Sequence, residues 1–417
     1  MRRSELFIKT RKEAPADERA RNAQLLIRAG YIHKEMAGVY SYLPLGMKVV
    51  DNIKRIVRDE MDAIGGQEMI LSTIQHPEIW QATDRWSDDN VDVWFKAVLS
   101  EGSEVGFGWS HEEPMSRLMT QFVNSYKDLP VYAYQFQNKL RREVRAKSGL
   151  LRAREFIMKD LYSFSRNQKE HEKFYGQISD AYERIYKKLG IGDITHKTFA
   201  SGGPFSKFSH EFQTVSPVGE DTIYFHEGEA VAINKEVLND EVLAELGIAR
   251  EGLVEKTAVE VGNIFTFGSR YSEPLGLFYT DEKGTKQPVF MGSYGIGISR
   301  LMGLLAEHFA DGKGLVWPDG VAPFDIYLCR LDGEAEVKKA ADEAYEDLQK
   351  SGLSVLYDDR GERPGEQFAD ADLIGLPWRL VVSANSLKAG GVELKARGSD
   401  QVKIMPLKSI KETLGKS

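Results

Sequence analysis

Cysteine is almost missing from this chain of 417 residues: Cys329 stands alone, which excludes an intrachain disulfide and any thiolate zinc cluster. Also missing is an uninterrupted apolar run approaching the roughly 18 to 20 residues of a membrane span. The opening stretch, MRRSELFIKTRKEAPADERA, has neither an apolar core nor a small-residue cleavage site, so no secretory signal is read there. These absences point to the cytoplasm and to no membrane partner. Positive charge is not in surplus either: a net charge of −8 argues against nonspecific nucleic-acid binding by the whole surface. No internal repeat or low-complexity tract is evident. What is present, 42% hydrophobic and 28% charged residues over a length too great for one ordinary core, is the composition of a globular enzyme with two or three domains.

Where charge does concentrate, it is basic. From Lys139 to Lys159 stand eight basic and two acidic side chains. Such a stretch is either a solvated basic face or a polyanion site, and the apolar residues alternating with the charges, as on a strand hairpin, favour the second. Periodicity sets the elements around it. Residues 17–64 read as helices, with Val49, Val50, Ile53, Ile56, Val57 and Met61 at helical spacing, and Gly65-Gly66 stops the run. A strand is expected at Glu68–Ile74, short strands near Val91–Val98 and Glu104–Trp109, a helix over Glu113–Tyr126 and an amphipathic helix over Lys169–Leu189. Strand-like segments follow at His210–Val215 and Thr222–His226. Residues 227–259 are acidic, with little apolar periodicity beyond a short helix, and read as a small surface insertion. Strands at Val259–Phe267 and Gln287–Met291 lead to a helix at Ile298–Phe309. A proline-rich turn from Trp317-Pro318 to Pro323 marks a domain boundary. Beyond it strand and helix alternate at Asp325–Arg330, 334–351, Ser354–Asp358, 365–374 and Trp378–Ser383, the rhythm of a compact α/β module with a mostly parallel sheet.

Two short stretches carry chemistry. In the first, LRREVRAKSGLLRAREF, Arg141 and Glu143 precede a basic loop, and Arg152 and Phe156 follow it. Arg141 and Arg152 read as lying on paired strands either side of the loop, so that both reach one ligand; Glu143, two residues after Arg141, points to the same strand face. Arginine forks match phosphate oxygens in fixed geometry, and a flat ring at Phe156 could cover a purine. A salt-bridged surface hairpin is the plain alternative. The second stretch, MGSYGIGISR, runs from Met291 to Arg300. Gly292, Gly295 and Gly297 let a backbone approach a ligand or a packed helix, and Arg300 emerges in the first turn of the helix that follows. A dinucleotide-binding turn would need its glycines at the start of a βαβ unit and an acidic residue about 20 positions on; here the preceding strands read as antiparallel, and a basic residue follows. Together the two stretches suit a bent nucleotide triphosphate held against an antiparallel sheet.

These stretches resemble motifs 2 and 3 of class II aminoacyl-tRNA synthetases. Further segments, among them LIRAGYIHKEMAGVYSYLPLGMKV, the SHEE of Ser110–Glu113, REFIMKDLYSF at 154–164, SHEF at 209–212 and DDRGERPGEQFADADLIGLP at 358–377, follow the order of the bacterial-type prolyl members over nearly the whole chain. The resemblance implies an α/β multidomain protein, with a class II antiparallel sheet flanked by helices and a C-terminal α/β anticodon-binding domain. It implies a first catalytic part with motifs 1 and 2 over 1–226, a short insertion at 227–259 in place of an editing domain, a second catalytic part with motif 3 over 260–322, and the anticodon-binding domain over 323–417. The implied activity is that of a ligase: L-proline and ATP give prolyl-adenylate and pyrophosphate, and the prolyl group then passes to the 3′ end of tRNA(Pro). A homodimer is implied as well.

The same resemblance assigns residues to roles. Arg141 is expected at the α-phosphate near the substrate carboxylate, Arg152 and Arg300 at the outer phosphates, Glu143 and Phe156 at the adenine side, and Gly295 and Gly297 in the nucleotide's wall. Fixed cations there would stabilise the charge created by in-line attack without a general base. Ser110, Glu112 and His210 are expected at the proline, with Glu112 on its ammonium; Phe164 and Phe212 either wall the ring or pack in the core. Mg2+ is implied as counterion to the phosphates, with Glu211 a candidate ligand. Arg360, Glu362 and Arg363 are expected at the anticodon. The chain departs from the pattern at Ser110 (usually Thr), Trp109 (Pro), Leu140 (an aromatic residue), Ala146 (Pro) and Ser72 (the proline of motif 1). Residues 227–259 are too few for an independent hydrolytic domain, so correction of mischarged tRNA would fall to a separate trans-acting deacylase. Two other readings stay open: a paralogue that activates another amino acid or charges another carrier, and a noncatalytic tRNA-binding regulator, which would be expected to lose the motif arginines.

Overall fold

The computed structural model describes residues 1–414 other than 145, 147, 202–207, 230 and 332, and at Phe208 the backbone alone; Arg145 and Lys147 of the basic stretch thus lie outside the described residues. Its contacts divide the chain into two compact units, one of Ala37–Val39 and Ile53–Leu301, the other of Met1–Met36, Tyr40–Asn52 and Met302–Ser417.

The first unit is built on a nine-stranded sheet among the described residues: β1 Gln67–Glu68, β2 Val131–Leu140, β3 Glu155–Ser165, β4 Thr195–Ser201, β5 Phe208–Val215, β6 Asp221–Phe225, β7 Val231–Asn234, β8 Val254–Gly268 and β9 Phe290–Gly297. Its order is β5-β4-β7-β6-β8-β9-β3-β2-β1, and β5 pairs in addition with β8. That extra pairing closes β5, β4, β7, β6 and β8 into a ring, because the long β8 gives its first residues to β6 and its later ones to β5 and β9. The sheet is mixed rather than antiparallel: β7 runs parallel to β4, and β1 parallel to β2. Residues 227–259 are also more than a surface insertion. They supply β7 and the start of β8, with Ala232 and Ile233 buried in the ring. Their period-2 signal is only four residues long, too short to stand out beside the acidic residues around it.

Helix Gln168–Lys188 places Phe174, Ile178, Tyr182 and Ile185, spaced at three and four, in the core. Met115, Met119, Leu277 and Met291 form a second core cluster that takes in Tyr162 and Phe164. Strand β3 is consequently buried along nearly its whole length, and its side chains need not alternate in polarity. Two shorter expectations also change. A two-stranded hairpin, Ile32–Met36 with Val39–Tyr42, interrupts the helices expected over 17–64, turning at Gly38, whose φ of 75° favours glycine. The helix beginning at Glu112 ends at Met119, and of the strand expected at 68–74 only its two ends are paired, in Gln67–Glu68 and Ile74–Gln75.

The second unit contains a five-stranded sheet, β10 Ile326–Arg330, β11 Val355–Asp358, β12 Trp378–Val382, β13 Val392–Ala396 and β14 Lys403–Met405, in the order β11-β10-β12-β13-β14. β10 is parallel to β11 and β12, whereas β13 and β14 are added antiparallel, so the sheet is half parallel rather than mostly so. Crossover helices enforce the parallel half; the short helix Ala384–Lys388 between β12 and β13 allows the reversal. Helix Ala335–Lys350 seals the core with Val337, Ala341, Ala344 and Leu348 against Ile326, Leu328, Val355 and Leu380. Tyr31 anchors the N-terminal part of the unit: its hydroxyl donates to the Ile374 carbonyl at 2.8 Å and accepts from Trp317 Nε1 at 2.9 Å. No helix among the described residues is long and apolar enough to cross a membrane.

Candidate active site

The pairing of β2 with β3 ends at Leu140 and Glu155. Arg141 and Arg152 therefore lie in the connection, not on the paired strands expected, and strand alternation does not place Glu143. The connection folds back instead: Arg141 N–H donates to the Arg154 carbonyl at 2.8 Å, and Gly149–Leu151 make a short helical turn. This return still gathers Arg141, Glu143, Arg152 and Phe156 on the wall of one cavity of about 320 Å³, together with Glu260, Gly297 and Arg300. Strand β9 passes directly into helix Ile298–Phe309, which puts Arg300 in the first turn. A Cβ at Gly297 would stand only 3.1 Å from the Cβ of Arg300, so glycine gives that side chain its room.

Three cations thus share one wall, and two of them lean on carboxylates. Arg152 Nε is 2.9 Å from Glu143 Oε2, and its fork also meets Glu220. Arg300 Nη1 donates to the Glu260 carbonyl at 2.6 Å and lies 3.4 Å from that residue's Oε2. Arg141 is held differently: Nε donates to the Trp109 carbonyl at 3.2 Å, and the guanidinium carbon lies 5.2 Å from the centre of the Phe156 ring. Burial and then Arg300 push the Arg141 pKa down, with Glu260 and Glu112 opposing; a guanidinium stays charged at neutral pH regardless.

Arg141 also lines a second cavity, of about 410 Å³, on the other side. Ser110 and Glu112 reach it, as does Gly295, whose N–H donates to Asn263 Oδ1 at 3.2 Å. The apolar wall is made by Trp109, Phe265, Phe267 and Tyr271. Phe164 and Phe212 do not contribute; both are buried in the core. Arg85, which the sequence did not single out, organises this side. Its Nη1 is 3.4 Å from Glu112 Oε2, 2.9 and 3.1 Å from the two oxygens of Glu113, and 2.8 Å from the Tyr271 hydroxyl. Its guanidinium carbon lies 4.5 Å from the Trp109 ring centre, and Trp80, Trp86 and Trp94 cluster behind. Burial pushes the Glu113 carboxyl up to about 7, Arg85 pulling it down and Glu112 pushing it further up. One guanidinium serving two carboxylates leaves negative charge facing the cavity, which suits an ammonium.

The helix start bearing Ser110 and Glu112 is fixed by a buried network. Asp160 Oδ2 accepts from Lys139 Nζ, Gln135 and Tyr162, each at 2.9 Å, and the Tyr162 hydroxyl accepts from His111 N–H at 3.1 Å. Lys139 Nζ is also 2.6 Å from His111 Nδ1, and burial followed by Lys139 pushes the His111 pKa down to about 4. Lys159 is equally buried, donating to the Tyr182 hydroxyl at 2.7 Å and the Tyr294 carbonyl at 2.9 Å. Both ends of the basic stretch are therefore lysines built into the interior of the unit, not part of a polyanion face.

His210 lines neither cavity. It lies on β5, its Nδ1 paired with the Tyr175 hydroxyl at 2.7 Å, and burial pushes its pKa down to about 4. Glu211, next to it, is likewise absent from both walls; its Oε2 accepts from Gln213 at 2.9 Å and Asn234 at 3.4 Å. Burial, then the neighbouring Glu260, raises its pKa to about 8. Among the described residues no three His, Cys, Asp or Glu side chains are grouped to hold a metal ion.

In the second unit, the fork of Arg360 is already engaged: Nε donates to Asp358 at 2.8 Å, and Nη2 to Asp358 and Asp370, both at 2.7 Å. Glu362 and Arg363 are exposed immediately before helix Pro364–Ile374.

A family profile described as tRNA synthetase class II core domain (G, H, P, S and T) matches residues 95–309, and one described as anticodon binding domain matches 325–417. Relatives called proline–tRNA ligase from Caulobacter sp. (strain K31) and Methylobacterium sp. (strain 4-46) are 36% and 37% identical, over 98% and 96% of this chain and 97% and 96% of their own. Among solved structures, prolyl-tRNA synthetase from Cryptosporidium parvum complexed with halofuginone and AMPPNP superposes with a TM-score of 0.78 at 18% identity, covering 94% of this chain and 76% of that one. The same enzyme complexed with L-proline and AMP gives a TM-score of 0.76 over 94% and 74%. At that identity the likeness speaks to fold alone.

Proposed function

The chain belongs to the proline–tRNA ligase family of class II tRNA synthetases, and from that premise we propose how its own residues activate L-proline with ATP and pass the prolyl group to the 3′ end of tRNA(Pro). One observation carries the residue assignment: Arg141 is common to the walls of both cavities. A side chain so placed touches the two reacting partners, the α-phosphate on one side and the attacking carboxylate on the other. It lowers the barrier by positioning them and by meeting the charge that builds on the phosphate during in-line attack. No general base is needed, because the nucleophile is already a carboxylate.

Arg152 and Arg300 take the outer phosphates. Their carboxylate partners, Glu143, Glu220 and Glu260, hold them in place until a stronger polyanion displaces those contacts. Phe156 covers the adenine. In the second cavity Glu112 receives the secondary ammonium of proline, Ser110 stands beside it, and Trp109, Phe265 and Tyr271 enclose the ring. His210 holds Tyr175 and makes no contact with the substrates.

Mg2+ fits as a counterion shared with the nucleotide, since this ion commonly needs only one or two carboxylates beyond phosphate oxygens and water. Glu260, on the cavity wall, and the neighbouring Glu211, whose pKa burial and then Glu260 raise, would hold it; when bound, it neutralises phosphate charge. Exposed Ile70 and Ile74, 70% and 60% accessible around Ser72, support a homodimer through this segment. The reading further places the enzyme in the cytoplasm, assigns Glu362 and Arg363 to the anticodon and leaves Arg360 as their support. Residues 227–259 complete a ring of strands, so hydrolysis of mischarged Ala-tRNA(Pro) is left to a separate deacylase. ATP–pyrophosphate exchange across the amino acids, followed by charging of tRNA(Pro), is the test: proline should give the highest exchange, and a different preferred amino acid would sink the assignment.

A further inference from the structure

The N-terminal segment, which motif order assigns to the catalytic part, is clamped in the second unit to the elements that carry Glu362 and Arg363. Arg3, its side chain 1% exposed, places Nη2 3.0 Å from Asp370 Oδ2, and Thr10 Oγ1 donates to Asp370 Oδ1 at 2.6 Å. Arg2 meets Asp342 at 2.9 Å, and Ser4 donates to Asp359 from N and Oγ at 3.0 and 2.7 Å. Asp370 is also the carboxylate that helps to fix Arg360. Arg2 and Arg3 thus serve as anchors. Further along the segment, past Lys9, the basic residues Arg11 and Lys12 are exposed.

These residues are not loose. Arg11 N–H donates to the Arg28 carbonyl at 2.8 Å, and Arg11, Lys12 and Arg28 line a cavity of about 540 Å³ with Glu362 and Glu366. Among the described residues no ion pair within 4.0 Å engages Arg11, Lys12 or Arg28, and Arg28 Nε is buried without a hydrogen-bond partner. Beside the already paired Arg360 and Asp370, the cavity lining therefore presents three uncommitted cations together with the exposed carboxylates of Glu362 and Glu366. A nucleotide of a single-stranded loop has the complementary pattern: an anionic phosphate, and a base edge carrying N–H donors. An acidic peptide would be repelled by the carboxylates, and a basic one by the cations.

We propose that this cavity binds the anticodon loop of the tRNA, with Arg11, Lys12 and Arg28 on backbone phosphates and Glu362 and Glu366 on the edge of an unstacked base. The site rests on the proposed tRNA-charging function and adds the N-terminal segment to it. Single-strand phosphate contacts each steepen the salt dependence of binding by about 0.7 in log–log slope. The double substitution Arg11→Ala with Lys12→Ala should raise KM for full-length tRNA(Pro) roughly 10-fold and reduce that slope by about 1.4. ATP–pyrophosphate exchange with proline should be unchanged, and so should charging of a minihelix that carries the acceptor stem without an anticodon arm. Lys9→Ala, on the same segment but outside the cavity, should match wild type. An unchanged KM and slope for full-length tRNA overturns the site. Equal losses on tRNA and minihelix also overturn it, by showing that the segment acts on folding or on the acceptor end. Wild-type protein that exchanges proline but charges neither RNA would instead overturn the functional reading on which the site depends.

Discussion

The two cavities joined at Arg141 handle charge in opposite ways. On the nucleotide side, Arg152 and Arg300 are only partly buried, with side-chain exposures of 30% and 28%, and lean on carboxylates that are themselves 20% exposed or more. On the amino-acid side, the Arg85 and Glu113 side chains are 14% and 0% exposed, enclosed by tryptophan and tyrosine. The first set consists of exchangeable pairs: water screens them, and a polyanion can replace the carboxylates. The second is a fixed pair whose partners cannot separate without stranding a buried charge. Under the proposed assignment the difference follows the ligands. A triphosphate brings about four negative charges and needs cations that can be released to it, whereas a small zwitterion needs a pocket whose charge and shape are set before it arrives.

The largest expected effect breaks the fixed side. Arg85→Ala leaves Glu113 buried without its cation and should cost about 3–5 kcal/mol of unfolding free energy, read by urea denaturation. Arg85→Lys restores the charge without the fork. It should recover most of the stability while leaving KM for proline raised and KM for ATP near wild type. A parallel rise in both KM values would mean that the cavities are not independently organised.

On the exchangeable side, Arg300→Ala removes a charge-assisted contact to the transition state, worth about 3 kcal/mol, or roughly a hundredfold in the exchange rate. KM for proline should hold. Near-wild-type exchange by this variant would take Arg300 out of the site.

Most residues of the first cavity's wall were legible in the sequence; on the second, Ser110 and Glu112 were, but Arg85 and the aromatic wall were not. Arg141, Arg152, Phe156 and Arg300 come from two local stretches whose spacing survives even though the strand pairing stops before Arg141. Arg85 offers no local signal. It follows a short helix, and its meaning comes from Glu112, Glu113 and Tyr271, brought to it only by the closed fold. Lys139 and Lys159 misled for the same reason. Charge alternating with apolar residues on a hairpin reads as a polyanion face, and only the partners Asp160 and Tyr182, the latter on a packed helix, show why two lysines can be fully buried. In the second unit the strand and helix positions were plain, but parallel and antiparallel pairing depends on connection geometry that residue alternation does not encode.

A smaller effect concerns the buried carboxyl of Glu211, behind the cavity walls. The folded-state pKa of Glu211, about 8, is raised from the ordinary 4.5, so the folded protein binds this proton more tightly than the unfolded chain does. Its contribution to stability is therefore greatest below about 4.5 and is lost as the pH rises through about 8. Denaturation midpoints taken across that window should fall with pH in the wild type and fall less in Glu211→Gln. An unchanged slope in the variant would assign the titration to another group.

The smallest effect sharpens the comparison most, because it is a matter of sign. Glu220 holds Arg152 from the rim of the nucleotide cavity, its side chain 45% exposed. A screened pair of this kind is worth about 0.2–1 kcal/mol, so the kinetic effects should stay within roughly fivefold. Arg152→Ala should raise KM for ATP by that order. Glu220→Gln should lower it, since the arginine is then released to the phosphate without first breaking a contact. The equivalent change across Arg141 should go the other way: Glu113→Gln removes a carboxylate from Arg85 and leaves the guanidinium to Glu112, weakening the charge offered to the proline ammonium and raising KM for proline. Taking a carboxylate from its arginine would thus improve one substrate's binding and impair the other's. The same sign of change in both variants would show that exposure does not separate the two kinds of pair.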